Sequence, residues 1–338
     1  MNNYFKKSVY VSETFKVSET SALETNQLLM EDTTHLISLL RCIPKYKMVS
    51  DAIALNTDYY AALPFETIHA LSKPLIIKLI EGLGAQSQAA DLDLQFHPYL
   101  QNVITPMVEA FKKAHPNHAF EDRKFRLHDF YFENKPFSEI FILSLAPTAY
   151  QQFKTDSNRS KQAAIALMLK GMQKAQDPYH YFAKILGLTV IVISKEGYVF
   201  LGERAAHIDY PNALNFVGGS ATFKADLLQT DFLLDVKAEL EEEIGFSVSD
   251  EQMDFQWIGI AGNPFTSELD LVFVVQSEKD KSFFENSILT EHQRMVCIQN
   301  KEQAIHLLTT GYFVGESQFK TLLYPTRFGL DYLVKYHW

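Results

Sequence analysis

Acidic side chains at helical spacing are the most chemically informative feature of this 338-residue sequence. Glu239, Glu242 and Glu243 stand at positions i, i+3 and i+4, and Asp235 lies one turn earlier, so the four carboxylates share one face of a predicted helix. Like charges in this arrangement repel by about 0.2–0.5 kcal/mol per pair in an isolated helix. Hard oxygen ligands on a rigid element suit Mg²⁺, with Mn²⁺ as an alternative, so the pattern predicts a divalent cation as the counter-charge.

The same segment carries the signals of a helix that packs on one side. Val236, Leu240 and Ile244 form an adjacent apolar face, and Gly245 stands where a helix C-cap belongs. The charge pattern alone favours a solvated acidic helix face. A predicted strand that runs into a double glycine at residues 215–219 precedes the helix, however, and glycine lets a backbone approach a ligand closely. The two features together favour a binding site.

This run resembles the second half of the Nudix box, which reads Arg-Glu-aliphatic-x-Glu-Glu-x-Gly-aliphatic. The matching positions are Glu239, Leu240, Glu242, Glu243 and Gly245. The resemblance implies that the acidic face is the metal-binding helix of a Nudix hydrolase.

Four departures from the box pattern accompany this match. Ala238 replaces the box arginine, although Lys237 is adjacent, and Phe246 replaces the last aliphatic residue. The segment from Gly219 to Glu239 is longer than in the usual box, and the glutamate expected midway has no clear counterpart. The carboxylates that the family uses to bind metal are nevertheless in place.

Flanking segments are similar to one branch of that superfamily, the Nudix-type UDP-sugar diphosphatases of animals. Its landmarks fall in the same order and with similar gaps at residues 124–128, 147–153, 198–201, 259–263 and 322–332. That branch also has an interrupted box without the arginine, so the replaced arginine and the longer segment before Glu239 are shared traits. The resemblance covers about residues 115–338.

The resemblance implies an α/β (α+β) fold, the Nudix α-β-α sandwich, and Mg²⁺-dependent hydrolysis of UDP-glucose or UDP-galactose to UMP and a sugar 1-phosphate. It implies that Glu239 and Glu243 bind the metal with help from Glu242. Glu243 or Glu242 is the candidate general base, and Glu268 and Asp270 are reserve candidates for the same role.

Among the candidate substrate contacts, Tyr150 and Phe120 match aromatic positions of that branch. Arg204 is the best nearby cation for a phosphate, although ungapped matching places Glu203 on the arginine of the branch. Tyr150 and Phe120 would stack on the base, and Arg204 would bind a phosphate. The remaining candidates would supply polar or backbone contacts. Each has a structural alternative: the aromatic side chains could be core residues, Arg204 could form a rim salt bridge with Glu203, and Asn215 and Thr326 could cap local structure. The candidates are Tyr150, Phe120, Arg204, Asn215, Gly218, Gly219 and Thr326.

The elements that must position these residues follow from hydrophobic periodicity and from turn residues. We expect helices at residues 20–42, 64–83, 98–114 and 160–175, hairpins formed by 125–132 with 140–145 and by 188–194 with 198–201, and strands at 255–260 and 269–275.

Three regions are expected along the chain. Residues 1–112 form a mainly helical N-terminal domain of unknown role, 113–180 an accessory hairpin and helix segment, and 181–338 the Nudix domain. The N-terminal helices are candidates for binding a protein partner or mediating dimerisation.

Composition narrows the function classes. Hydrophobic residues make up 47% and charged residues 21%, as in a folded globular protein. The net charge of −10 argues against nucleic acid as a partner, and it means that an anionic nucleotide-sugar substrate needs a local cation. No membrane span is expected, and the protein is expected to be cytoplasmic or otherwise intracellular, with export as an effector left open.

Two functional alternatives stay open at this stage. One keeps Nudix chemistry but acts on another nucleoside diphosphate derivative such as ADP-ribose. The other is a partner-binding protein whose Nudix fold has lost catalysis.

Overall fold

A computed structural model describes residues 19–82, 123–206, 210–247, 254–313 and 317–338, together with Glu109 and Lys113. The helices are α1 (Glu19–Arg41), α2 (Lys47–Ala54), α3 (Phe65–His69), α4 (Tyr150–Ser157), α5 (Lys161–Ala175), α6 (Phe232–Ile244), α7 (Lys281–Glu285), α8 (Lys301–Thr310) and α9 (Tyr324–Tyr336). The strands are β1 (Tyr60–Leu63), β2 (Leu75–Glu81), β3 (Arg123–Asn134), β4 (Glu139–Ala149), β5 (Leu186–Ile193), β6 (Val199–Arg204), β7 (Leu214–Asn215), β8 (Val217–Ser220), β9 (Phe255–Gly262), β10 (Leu269–Gln276) and β11 (His292–Ile298).

Eight strands form one mixed sheet in the described part of the chain. Its main path runs β1-β9-β10-β5-β6-β11, with β7 paired to β6 and β8 paired to β5. Strands β5 and β10 are parallel, and the other pairs are antiparallel. A smaller sheet has the order β2-β4-β3, in which β2 and β4 are parallel. A bridge between Arg126 and Ile185 links β3 to β5 of the large sheet.

Strand β5 shows why the large sheet is covered on both faces. All eight of its residues are buried. Leu188 and Val190 face the core beneath α6, whereas Ile191 and Ile193 face the core beneath α8 and α9. Because successive strand residues point to opposite faces, a continuous apolar strand must be covered on both. Helices therefore lie on both sides of the sheet, and the expected mixed α/β fold with a layered α-β-α arrangement is confirmed.

Most of the element predictions after residue 120 are confirmed. Strands β3 and β4 form the first hairpin, and β5 and β6 form the second. Helix α5 covers residues 161–175, and β9 and β10 occur where strands were expected.

The predicted helix at residues 64–83 is wrong over most of its length. Only Phe65–His69 is helical, and Leu75–Glu81 is strand β2, which runs parallel to β4. A short apolar run rich in isoleucine fits either element by periodicity, and pairing with β4 decides the outcome. The helix predicted at residues 98–114 falls outside the described residues apart from Glu109 and Lys113.

The helix expected at residues 20–42 is present as α1, and it is followed by α2, which was not predicted. Both helices pack with α5 around Leu36, Leu40 and Met168. Strand β1 follows them and pairs with β9 in the large sheet, where Leu63 joins the core beneath α6. The division into three regions stays a prediction, but the first region contributes a strand to each sheet.

Candidate active site

Helix α6 ends at Gly245, as expected from the sequence, and begins after Asp231, which was not predicted as its cap. The side chain of Asp231 accepts a hydrogen bond from the Leu233 backbone N–H at 2.9 Å and caps the first turn. Gly245 ends the helix with φ +66°, a left-handed conformation that glycine adopts without strain. Val236, Leu240 and Ile244 are buried against the sheet, so the acidic residues lie on a different side of the helix.

The double glycine brings β8 into direct contact with this acidic face. A β-carbon at Gly219 would clash with the carboxylate of Glu239, and one at Gly218 would clash with the carbonyl oxygen of Leu188. Only a bare backbone leaves room for both contacts. The space beside the two glycines is taken by the Glu239 side chain and by the Leu188 backbone, and close approach of a ligand to this strand stays a prediction.

The three box carboxylates occupy different environments. Glu239 and Glu242 line an open cleft, and Glu242 is exposed at its rim. Glu243 is buried, and its Oε2 lies 2.8 Å from Nε2 of His292. The other carboxylate oxygen of Glu243 makes no hydrogen bond of ordinary geometry among the described residues, although the nearby backbone of Gly218 lowers the pKa of this group. Asp235 accepts from Lys224 at 3.3 Å and does not line the cleft.

Burial and mutual repulsion make the charged forms of these carboxylates unfavourable. The pKa of Glu239 is raised to about 8, first by burial and then by the charges of Glu243, Glu291 and Glu242. Burial, followed by the charge of Glu291, raises the pKa of Glu243 well above its ordinary value. Lys124 opposes the shift at Glu239 only in part. A cation at this position would relieve the repulsion that raises both pKa values.

The donor set fits a hard divalent cation. As the side chains stand, no three Asp, Glu, His or Cys residues within the described ranges are placed to hold a metal ion together. Mg²⁺ needs fewer protein ligands, because it usually takes one or two carboxylates and completes its shell with water and phosphate oxygens. The cleft-facing carboxylate of Glu239 and the second carboxylate oxygen of Glu243 supply that number.

The cleft has a volume of about 300 Å³, at the lower end of the range for small-molecule sites. Five of the predicted substrate-binding residues line the cleft, together with other residues that the sequence analysis did not assign to one site. Of the predicted contacts, those in the lining are Tyr150, Arg204, Asn215, Gly218 and Gly219. The lining also includes Lys124, Phe153, Tyr210, Glu268, Asp270, Glu291 and Tyr324.

Two further carboxylates line the cleft. Glu268 accepts hydrogen bonds from the Tyr210 hydroxyl at 2.9 Å and the Thr266 hydroxyl at 2.5 Å. Burial raises the pKa of Glu268 to about 7, although these hydrogen bonds act in the opposite direction. A carboxyl group that titrates near neutrality is suited to accept a proton at physiological pH.

Asp270 is held more tightly than Glu268. It accepts hydrogen bonds from the hydroxyls of Thr189, at 2.6 Å, and Tyr324, and its carboxylate fills the space that a side chain at Gly187 would need. Burial raises its pKa to about 6. Each oxygen of Asp270 accepts a hydroxyl hydrogen bond, whereas both hydroxyl groups at Glu268 donate to Oε2, so Asp270 is the less available of the two reserve candidates.

Arg204 faces the cleft, as expected for a phosphate contact. Its guanidinium lies 3.5 Å from the carboxylate of Glu291. The expected alternative of a salt bridge with Glu203 is wrong, because Glu203 is bound by Lys320 at 2.8 Å and by Arg294 at 2.7 Å. Successive strand residues point to opposite faces, which separates Arg204 from Glu203.

The remaining substrate candidates are placed less directly. Tyr150 lines the cleft and packs against Phe153 with ring centroids 5.6 Å apart, so it has both a surface and a core contact. Thr326 is buried one step behind the cleft, where its hydroxyl donates to Asn215 Oδ1 at 2.9 Å and to the Leu214 carbonyl at 3.1 Å. Phe120 lies outside the described residues.

Sequence reasoning missed Glu291 and His292. Both lie at the start of β11, about fifty positions after the helix that they face, and neither belongs to a spacing motif. The only local signal was a polar pair immediately before an amphipathic strand. Burial and the charge of Arg204 lower the pKa of His292 to about 4, so the imidazole beside Glu243 is neutral at physiological pH.

The chain is similar in structure to several Nudix-type proteins. The E. coli dihydroneopterin triphosphate pyrophosphohydrolase matches 44% of this chain and 94% of its own, with 12% identity and a TM-score of 0.30. A Nudix hydrolase from M. smegmatis matches 44% and 82%, with 10% identity and a TM-score of 0.30. The MutT protein from Methanosarcina mazei matches 44% and 92%, with 14% identity and a TM-score of 0.29.

No family model and no curated protein sequence matches the chain significantly, so function is inferred from the geometry of the cleft. None of the helices in the described ranges combines the length and hydrophobicity that crossing a bilayer requires.

Proposed function

We propose that this protein is a Nudix-type hydrolase that cleaves the pyrophosphate bond of a nucleoside diphosphate derivative with the help of a divalent cation. The observation that carries the proposal is the convergence of Glu239, Glu242, Glu291 and Arg204 in one cleft beside a double-glycine strand. Glu243 is buried next to this group, where its charge and those of Glu239, Glu242 and Glu291 affect one another. Clustered carboxylates can bind a cation, and the adjacent guanidinium can bind a phosphate, so the site suits a phosphate-containing ligand that binds together with a cation.

The metal would be held by Glu239 and Glu243, with Glu242 assisting. Bound Mg²⁺, or Mn²⁺ in its place, supplies positive charge that offsets the phosphates and promotes attack of water on phosphorus. Glu239 is fixed against Gly219 and Glu243 against His292, so both carboxylates are oriented before substrate arrives.

The other cleft residues would bind and orient the substrate. Arg204 would donate two hydrogen bonds to a phosphate, the backbone at Gly218 and Gly219 would allow the pyrophosphate to approach closely, and Tyr150 would stack on the base. Asn215, held by Thr326, would add a polar contact. In the reaction, water oxygen bonds to one phosphorus, the bridging P–O bond breaks, and two phosphate products leave.

Glu268 is the proposed acceptor of the proton that the attacking water loses. It lines the cleft, and its pKa of about 7 allows it to be deprotonated at neutral pH and still to bind a proton. Glu242, exposed at the rim, is the alternative acceptor.

The finer proposal for the substrate is a UDP-sugar, UDP-glucose or UDP-galactose. It is supported by the ordered landmarks between residues 124 and 332 and by the interrupted box that the UDP-sugar branch shares. Hydrolysis would then yield UMP and a sugar 1-phosphate.

The test is a product analysis with UDP-glucose, UDP-galactose, ADP-ribose and dinucleoside polyphosphates in the presence of Mg²⁺. We expect UMP and sugar 1-phosphate from the UDP-sugars. If only ADP-ribose is hydrolysed, the proposed hydrolase activity stands and the proposed UDP-sugar substrate is wrong. A protein that cleaves none of these compounds with Mg²⁺ or Mn²⁺ would contradict the proposed activity.

A further inference from the structure

The buried pair of Glu243 and His292 joins helix α6 to strand β11. Their side chains are 1% and 0% exposed, and Nε2 of the imidazole lies 2.8 Å from Oε2 of the carboxylate. A hydrogen bond at this distance in the interior restricts the carboxylate to one orientation, since no water is there to replace the donor. Oε1, which makes no hydrogen bond of ordinary geometry within the described ranges, is thereby left to face another group.

A glycine makes room for the imidazole. A β-carbon at Gly202, on strand β6, would clash with Nδ1 and the neighbouring ring carbons of His292. Gly202 lies two residues before Arg204, which pairs in register with His292 across the two strands. The bare backbone position at Gly202 therefore accommodates a ring whose one hydrogen bond within the described ranges is with Glu243.

Two backbone contacts attach the same segment to the helix. The Thr290 hydroxyl donates to the carbonyl oxygen of Glu242 at 3.0 Å, and the Thr290 backbone N–H donates to that of Glu243 at 3.4 Å. These carbonyls belong to the last turn of α6, where they lack partners within the helix. Residues 290–292 thus hold both the backbone and one side chain of this turn.

Helix α6 has no basic residue of its own to perform this task. Its single lysine, Lys237, lies with its ammonium 5.8 Å from the ring centroid of Phe255. Ala238, the residue before Glu239, carries no polar group. The donor that orients Glu243 therefore has to come from another element.

We propose that His292 is a positioning residue for the metal site: its Nε2–H orients Glu243 so that the second carboxylate oxygen faces the cation. This inference rests on the proposed function, because it takes Glu243 to be a metal ligand. Removing the partners that orient metal ligands typically weakens metal affinity or activity by about 10–100-fold.

The test compares variants by titrating Mn²⁺ into the full-length protein without substrate, with free Mn²⁺ read by electron paramagnetic resonance. His292→Leu removes the donor at similar volume, and we expect it to raise the Kd for Mn²⁺ at least tenfold. His292→Gln replaces Nε2 with an amide donor at a similar position, and we expect it to restore the affinity to within about threefold of the parent.

Gly202→Ala is a second, independent variant, because it displaces the ring without changing His292. We expect it to weaken Mn²⁺ binding in the same direction, and it serves in place of His292→Leu should that variant not fold. Melting temperatures accompany each titration, so that loss of metal affinity is measured on folded protein.

Glu243→Gln distinguishes the proposed metal site from the proposed positioning role of His292. If Glu243→Gln loses Mn²⁺ affinity while His292→Leu and Gly202→Ala keep it, the positioning role is wrong and the proposed metal site stands. If His292→Leu and His292→Gln weaken binding equally, the donor is not what matters and the inference is overturned. If Glu243→Gln binds Mn²⁺ like the parent, the metal assignment fails and the inference fails with it.

Discussion

Gly219 lacks a β-carbon, and this leaves the space that the Glu239 carboxylate occupies. Because a β-carbon would clash with that carboxylate, we expect Gly219→Ala to displace Glu239 and to lower kcat at least tenfold. Steady-state kinetics with the best pyrophosphate substrate measures this.

The matched control is Gly245→Ala at the other end of the same helix. Gly245 has φ +66° and nothing within 4 Å of an added β-carbon, so alanine should lower the free energy of unfolding by about 1 kcal/mol and leave kcat unchanged. Equal activity in the two variants would show that contact with Gly219 does not position Glu239.

Glu268 sets an expected pH dependence. Its carboxyl group must be deprotonated to accept a proton, and its pKa is raised to about 7, so kcat/KM should rise with pH and level off above about 7. Glu268→Gln should lower kcat at least 100-fold and abolish the rise of kcat/KM with pH. A glutamine variant that keeps the rate and the profile of the parent would transfer the role to another group such as Glu242.

At the level of elements, the sequence predicted the helix of the site well and its partners poorly. The acidic face and the C-terminal end of α6 follow from local signals at Glu239 and Gly245, whereas its N-cap, Asp231, was not predicted. Glu291 and His292 reach the site only because β11 pairs with β6, and no local signal encodes that pairing. Contacts made through sheet topology depend on distant segments, so spacing along the chain does not reveal them.

Strand β2 illustrates the same point for the fold. Residues 75–81 are a largely apolar run, interrupted by Lys78, that also suits a helix, and parallel pairing with β4 determines that they form a strand. The exposed Ile76 and Ile77 show that this strand is covered less fully than β5. Periodicity could not separate a half-covered strand from an amphipathic helix here.

Strand β1 leads to a prediction about truncation. It pairs with β9 and buries Leu63 in the core beneath α6. A chain that starts at residue 113 would lack β1 and β2, and we expect it to be unfolded or aggregated and inactive. Circular dichroism and gel filtration provide the measurement. A folded, fully active fragment would instead make residues 1–112 a dispensable region.

The whole molecule carries a net charge of −10, and part of that excess is buried. The pKa values of Glu239, Glu268, Asp270 and Asp156 are raised to about 8, 7, 6 and 6, in each case first by burial. Between the ordinary carboxyl pKa and these values, the unfolded chain releases protons that the folded chain retains. The free energy of unfolding should therefore fall as pH rises from about 4.5 to about 8.

This slope should depend on a divalent cation. In EDTA we expect the Tm to fall by several degrees between pH 5 and pH 8, since about 1 kcal/mol corresponds to a few degrees in a protein of this size. Mg²⁺ binds the deprotonated carboxylates, so it should raise the Tm most at pH 8, and Glu239→Gln should reduce both effects. Melting curves with and without Mg²⁺ that coincide at every pH would contradict a cation site here.

At this scale the composition predicted correctly that a packed core forms, and the resemblance predicted the layered arrangement of sheet and helices. The local balance of charge in the cleft could not be read from a total of −10. Glu239, Glu291 and Arg204 come from three elements, and their mutual effects appear only when the fold places them side by side.

The most direct test of the central claim is the Mg²⁺-dependent turnover of the best pyrophosphate substrate by the parent protein and three glutamine variants. Glu239→Gln and Glu243→Gln should each lose at least 100-fold in kcat/KM and keep the melting temperature within a few degrees. Glu241→Gln, on the same helix but outside the cleft lining, should match the parent. If Glu239→Gln and Glu243→Gln turn over substrate at the parent rate, these carboxylates do not hold the catalytic cation and the proposed mechanism is wrong.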